Sequence, residues 1–224
     1  MAAVFDPDAI LRGPIEDDVL REVYASDQDM YPAPLTFERL KSWVDACPDL
    51  SINFRSGASQ PIGVAIALPI RRPYWDDLLK GNLKETDIDP EIAFPSRKGV
   101  TDPEDVGLHV FHIERFAGAG STKRGGFAEL VVHEIVQRAL LRKEWKLVGL
   151  SALTATPAGN KTFKRLGFSP TGYTETFIVE EADGVDDKER VRMVSTYAGE
   201  TQPPLETGHP QQIISQSEMK VKYL

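Results

Sequence analysis

The chain has 224 residues, 41 % of them hydrophobic and 27 % charged, with a formal charge of −8, the balance of a soluble protein with a real core. That charge argues against a general nucleic-acid binder, because phosphate contacts need clustered Lys and Arg. No apolar run approaches the ~20 residues needed to span a bilayer, and residues 1–8 lack a secretory pattern. Cys47 is the only cysteine, so no internal disulfide forms, and a reducing, cytoplasmic location is expected. His, Cys and Asp do not recur at structural-zinc spacing, and no metal is expected. The acidic balance would attract a cationic substrate such as an amine, and it serves solubility equally well.

The chain opens as helix, helix, hairpin. Residues 17–31 place Val19, Leu20, Val23 and Tyr24 on a helical stripe after an acidic first turn. Thr36 is positioned to cap a second helix containing Glu38 and residues 40–44, with Pro48 just past its end. Strands are expected at 50–55 and 62–70, with a turn at 57–61. Residues 71–103 carry several prolines, Trp75 and an acidic stretch at 85–91, with one helical turn at 75–79. They read as an insertion draped over the core, either a substrate lid or plain decoration.

A strand at 106–116 leads into a glycine-rich stretch, residues 117–126. An amphipathic helix follows, with Ala128, Val131, Val132, Ile135, Val136, Ala139 and Leu140 assigned to one face. Next come a strand at 146–152, a short helix at 160–166 stopped by Gly167, and a hairpin of 174–180 with 190–197. Residues 1–200 are expected to form a single domain. Residues 201–224 read as a polar, mobile tail, or one in which 219–224 adds an edge strand to a partner.

The order strand, glycine-rich turn, amphipathic helix, strand, helix is an α/β crossover unit. A glycine-rich turn feeding a helix N-terminus offers free backbone N–H groups and the positive end of a helix dipole, which suits a pyrophosphate. A tight turn with no ligand is the plainer alternative. The stretch Gly118-Ala119-Gly120-Ser121-Thr122-Lys123 ends in lysine where a dinucleotide fingerprint needs glycine. Ser121-Thr122-Lys123 has the wrong order for a nucleoside-triphosphate P-loop.

Lys123-Arg124-Gly125-Gly126-Phe127-Ala128 resembles the pyrophosphate loop of GNAT acyltransferases, Arg/Gln-x-x-Gly-x-Gly/Ala, with Lys123 departing at the first position. Phe163-Lys164-Arg165-Leu166-Gly167-Phe168 is similar to the family's Tyr-x-Lys/Arg-x-Gly-Phe. The resemblance implies an α/β (α+β) GNAT fold: a central mixed twisted sheet flanked by helices, closed by a C-terminal β-hairpin. It also implies acetyl-CoA as co-substrate. Backbone at Phe116, Ala117 and Gly118 would line the pantetheine arm between two splayed strands, and Lys123, Arg124, Gly125, Gly126, Phe127 and Ala128 would hold the pyrophosphate. Thr156 falls where many members carry an Asn touching the arm, with Asn160 one helical turn on.

The implied reaction is direct attack of an amine on the acetyl thioester. An alkylamine with pKa near ~10 must first lose a proton. Glu114 is the first candidate base and His112 the second, standing two apart on one strand face where relatives often place a base. His109 is set aside, and with it a three-residue metal site, because it has the opposite parity. Phe163 replaces the tyrosine with which many members protonate the thiolate, which leaves Tyr173 or water as proton donor, or no donor. The expected acceptor is a small-molecule amine. Acetylation of protein N-termini or lysines, and a non-catalytic acyl-CoA-binding module, remain alternatives. A homodimer is left open by analogy, and neither a nucleic acid nor a membrane is implied.

Overall fold

The computed structural model describes residues 4–5, 10–30, 35–57, 60–96, 102–116, 121–122, 126–180, 191–197 and 211–224. Its first strands are β1 (Val4–Phe5) and β2 (Ile10–Pro14). Helix α1 (Asp17–Met30) starts on Asp17 and Asp18, which suit the positive end of its dipole, and buries Leu20 and Val23. Helix α2 (Phe37–Ala46) is capped as expected, with the Thr36 side chain accepting from the Arg39 N–H. A 3-10 turn, Pro48–Leu50, leads into β3 (Ser51–Ser56) and β4 (Gln60–Arg71).

The segment expected to drape over the core is instead part of it. Helix α3 (Arg72–Lys80) buries Trp75, Leu78 and Leu79 and ends on Gly81 at φ 73°, a left-handed conformation that favours glycine. A 3-10 turn (Glu85–Asp87) and helix α4 (Pro90–Ala93) follow, with Ile88 and Ala93 buried. Trp43 of α2 donates its indole N–H to the Ile88 carbonyl at 2.8 Å, tying the segment to the first helix pair. Apolar residues within a proline-broken stretch gave no periodicity from which this burial could be read.

Strand β5 (Glu104–Arg115), β6 (Ser121–Thr122), helix α5 (Phe127–Leu140), β7 (Trp145–Thr154) and helix α6 (Pro157–Arg165) form the crossover unit. On α5, Phe127, Val131, Ile135 and Ala139 are buried at four-residue spacing. Leu140, expected on the same face, is 60 % exposed, because it continues the flank of Ala128, Val132 and Val136, which are only half-buried. The chain continues through β8 (Ser169–Glu180), β9 (Val191–Tyr197) and β10 (Gln211–Tyr223).

Eight strands make one sheet in the order β2-β3-β4-β5-β7-β10-β8-β9, and β1 pairs with β6 apart from it. Only β5 and β7 run parallel within the eight; the other neighbours are antiparallel. The expected hairpin is present, Tyr173 facing Tyr197 and Val179 facing Val191. Strand β10 corrects the tail expectation. It neither hangs free nor edges the sheet, but lies between β7 and β8, burying Met219 and Val221 on one face and Lys220 on the other. No helix among the described residues is long and apolar enough to cross a membrane.

Candidate active site

Strands β5 and β7 pair from Glu104 opposite Trp145 to His109 opposite Ser151, and there the ladder stops although both strands continue. Each stays paired on its outer side, β5 with β4 as far as Arg115 and β7 with β10 as far as Thr154. The two strands therefore diverge, and their facing edges have no ladder partner in one another, so backbone groups are left for something else to satisfy. A cavity of about 150 Å³ fills the wedge. Its walls are residues 110–113 of β5, residues 152–156 in and after β7, and Gly159 and Phe163 of α6, with Asp27 and Glu85 completing it.

Side chains alternate along a strand, so His109 and His112 would normally face opposite ways. The β4–β5 register shows why they do not. Leu68 faces His109, Ala67 faces Val110 and Ile66 faces His112, which leaves Phe111 as an extra residue in a bulge. The bulge resets the alternation, and His109, His112 and Glu114 lie on one face of the sheet. The exclusion of His109 on parity is thus overturned by one inserted residue. Although two histidines and three carboxylates gather here, no three His, Cys, Asp or Glu among the described residues are grouped to hold a metal ion.

His112 is buried and lines the cavity. Its Nε2 lies 3.2 Å from a Glu114 carboxylate oxygen and its Nδ1 3.7 Å from Asp27. Burial opposes the charged ring, but hydrogen bonding to Asp27 and Glu114 outweighs it and raises the His112 pKa. The bond from His112 holds the Glu114 carboxyl below its usual range, against partial burial, with help from Ser26. Glu114 is not among the residues lining the cavity; it grips His112 from behind.

Glu85 reaches the cavity from the 3-10 turn after α3. It is buried, with one carboxylate oxygen 2.5 Å from His109 Nε2. His109, fully enclosed, turns its Nδ1 to Ser151 Oγ at 2.9 Å, and that oxygen accepts the Trp75 indole N–H at 2.8 Å. Burial raises the Glu85 pKa, with His109 opposing. Sequence reasoning missed Glu85 and Asp27. Glu85 was one acid in an acidic run, and nothing local sets it apart.

Tyr173 is buried outside the cavity lining. Its hydroxyl donates to Glu175 at 2.5 Å, accepts from Lys84 and lies 3.2 Å from Ser195 Oγ. Burial pushes its pKa up to about 12 and that of Glu175 up to about 7. Thr156 lines the cavity and also caps α6, its hydroxyl accepting from the Gly159 N–H at 3.0 Å. Asn160 accepts from Thr154 Oγ1 at 2.7 Å and faces the other flank of α6.

Gly126 is the N-cap residue of α5 and has no side chain to cap it; Glu129 N–H bonds the Gly126 carbonyl at 3.0 Å, so among the described residues the Phe127 and Ala128 N–H groups are the ones left for an acceptor. The Arg165 guanidinium of α6 lies 3.0 Å from where a Cβ on Gly126 would stand, an exposed cation beside that end of the dipole. Phe127 turns inward, edge-on to Phe54 with centroids 5.4 Å apart, so its side chain packs the core; Ala128 sits half-buried in the first turn. Phe116 donates its N–H to the Ile62 carbonyl at 2.9 Å. Ala117, Gly118, Lys123, Arg124 and Gly125 lie outside the described residues.

No family model and no curated protein matches the sequence. Solved structures do match its three-dimensional form. Arabidopsis thaliana NAA60 in complex with a bisubstrate analogue superposes over 96 % of this chain and 97 % of its own, with a TM-score of 0.52 at 12 % identity. The chain has the GNAT fold. NAA60 in complex with acetyl-CoA covers 96 % and 98 % with a TM-score of 0.49 at 14 % identity. A mosquito arylalkylamine N-acetyltransferase like 5b covers 96 % and 100 % with a TM-score of 0.43 at 16 % identity. The GNAT expectation of a mixed sheet with a C-terminal hairpin is met, and β10 is threaded between the crossover unit and that hairpin.

Proposed function

We propose that the chain is an acyl-CoA-dependent N-acyltransferase, moving the acetyl group of acetyl-CoA to an amine by direct attack. The observation that carries this reading is the wedge between β5 and β7, beginning where the ladder stops at His109 and Ser151. An extended pantetheine arm can use the unpaired strand edges, and the open N-terminus of α5 with Arg165 suits a pyrophosphate. The described part of the loop, Gly126, Phe127 and Ala128, fits this, Gly126 and Phe127 through backbone rather than side chain.

In this reading His112 works in the opposite sense to that expected of a base. A ring kept charged by two carboxylates is poorly placed to accept a proton from an amine and well placed to give one to the departing thiolate. That supplies the donor missing at Phe163, and Tyr173, outside the cavity with its hydroxyl held by Glu175, is not needed for it. Glu114 then positions and charges His112.

The small cavity, lined in part by Asp27 and Glu85, favours a small-molecule amine. The test begins with thermal unfolding in acetyl-CoA and in CoA. A ligand at ~100 times its dissociation constant adds about 2.7 kcal/mol to the folded state, and a clear upward shift with both is expected. Thiol release is then followed with 2-phenylethylamine, spermidine and a short peptide with a free N-terminus. Turnover with the peptide alone would reassign the acceptor class; no shift with either coenzyme would end the acyltransferase reading.

A further inference from the structure

The assignment of His112 as donor leaves the first proton of the reaction without a destination. An alkylamine resembles a lysine side chain and is almost wholly protonated at neutral pH, its pKa being about 10. It cannot attack until that proton is removed within the site. The acceptor must face the cavity, carry no strong bond to a fixed cation and be held in place.

Glu114 is held in place but fails the other two conditions, because it does not line the cavity and is bonded to His112. Asp27 faces the cavity but lies within 3.7 Å of the same imidazole. Glu85 meets all three. It lines the cavity, and its one strong partner is His109, whose far side is fixed by Ser151 and Trp75. One proton arrangement of that chain serves a proton acceptor. Trp75 gives its indole hydrogen to Ser151 Oγ, so the serine hydrogen is free to point at His109 Nδ1. In that arrangement the ring accepts at Nδ1 and donates from Nε2 to Glu85 Oε1. This leaves Oε2 for a proton from the cavity. Facing Glu85 are His109 from β5, Asp27 from α1 and, further off, Tyr173 from β8.

We propose that Glu85 is the proton acceptor for the attacking amine, with His109, Ser151 and Trp75 as its positioning residues. The proposal rests on the acyltransferase reading. The ammonium gives one proton to Glu85 and becomes an amine; its lone pair forms the C–N bond at the thioester carbonyl. The C–S bond then breaks with its electron pair going to sulfur, which is protonated by His112, and the nitrogen's second proton restores His112. Glu85 releases its proton to water once the amide has left. The raised pKa of Glu85, caused by burial, is in the direction a proton acceptor needs. The bulge at Phe111 serves this arrangement, since without it His109 and His112 could not share the cavity face.

The test compares ethylamine with hydroxylamine, both small enough for the cavity, as acceptors of acetyl from acetyl-CoA in the full chain and in Glu85→Gln. Hydroxylamine is largely unprotonated at neutral pH and needs no base to become nucleophilic. Glu85→Gln is expected to lose about 100-fold or more in kcat/KM with ethylamine while staying within a few-fold with hydroxylamine. The deficit with ethylamine should also shrink as the pH rises towards the amine's own pKa. His109→Gln, which keeps Glu85, should give a smaller loss of the same selectivity. Equal rates for Glu85→Gln and the parent with both acceptors, or an equal loss with both, would overturn the proposal and leave the acyltransferase reading intact. If the parent chain acetylates neither compound nor any amine named above while still binding acetyl-CoA, both fall together.

Discussion

His112 stands three residues after His109 on β5, yet both rings project from the same face of the sheet, because Phe111 has no partner on β4. The two rings are also separately wired, His112 to Asp27 and Glu114 and His109 to Glu85 and Ser151. One face of the sheet therefore holds two imidazoles with different partners.

The wiring of His112 is measurable on its own. Its ring should titrate above the ordinary histidine value of about 6.5, and Glu114→Gln should bring it down. The linked stability follows the same sign: it is fully present below the unfolded pKa and is lost as pH rises through the folded one. Ring-proton NMR of the parent and the variant decides the matter. An unshifted ring in the parent would show that the two carboxylates do not hold the charge.

Glu175 predicts a second pH effect. Its carboxyl titrates at about 7 when folded, against about 4.3 when unfolded. The folded chain keeps the proton longer, so stability falls as pH rises between these values, by on the order of 3 kcal/mol. Urea midpoints at pH 5 and pH 8 should differ less in Glu175→Gln than in the parent. His112 contributes with the same sign to both proteins, so the difference between them belongs to Glu175. Identical pH slopes would mean that the group does not titrate in this range.

Gly107 lies under the Trp75 ring, and a Cβ there would come within 2.2 Å of ring carbons. Trp75 is fully buried and anchored by its bond to Ser151, so it has little freedom to yield. Gly107→Ala should cost about 1–3 kcal/mol as overpacking. Chemical denaturation gives the value, and a cost below half of that would mean the ring can shift.

Thr156 is expected to act twice, as the cap of α6 and as cavity wall. Thr156→Ala should lower stability by about 1 kcal/mol and weaken acetyl-CoA binding, whereas Thr156→Ser keeps the hydroxyl and should restore both. Calorimetric titration alongside denaturation separates the effects. Unchanged affinity in the alanine variant would confine the residue to capping.

What the sequence made legible was local. The Thr36 cap, the stripe on α1, the Val131–Ile135–Ala139 spacing and the two strands of the hairpin are each set by neighbours a few residues apart. So was the α5 N-terminus, since glycine there is visible in the motif itself. The unread parts depend on distant partners. The bulge at Phe111 exists only in the register with β4, and Glu85 becomes a cavity residue only because Trp75, Leu78 and Leu79 bury the helix before it. His112 is legible as a strand residue of the site, but its pairing depends on Asp27, 85 residues earlier, which no local pattern shows.

The place of β10 bears on how the molecule is made. Residues 211–223 are synthesised after both strands they join, so the β2–β7 half of the sheet and the β8–β9 hairpin cannot be united until those residues have been made. Until then Gly149–Thr154 and most of β8 present bare strand edges, the kind of surface that recruits other chains. Slow translation, which helps proteins that fold from the N-terminus onward, prolongs this exposure. Yield of soluble protein should therefore depend on chaperone capacity during synthesis more than on the final stability of the sheet.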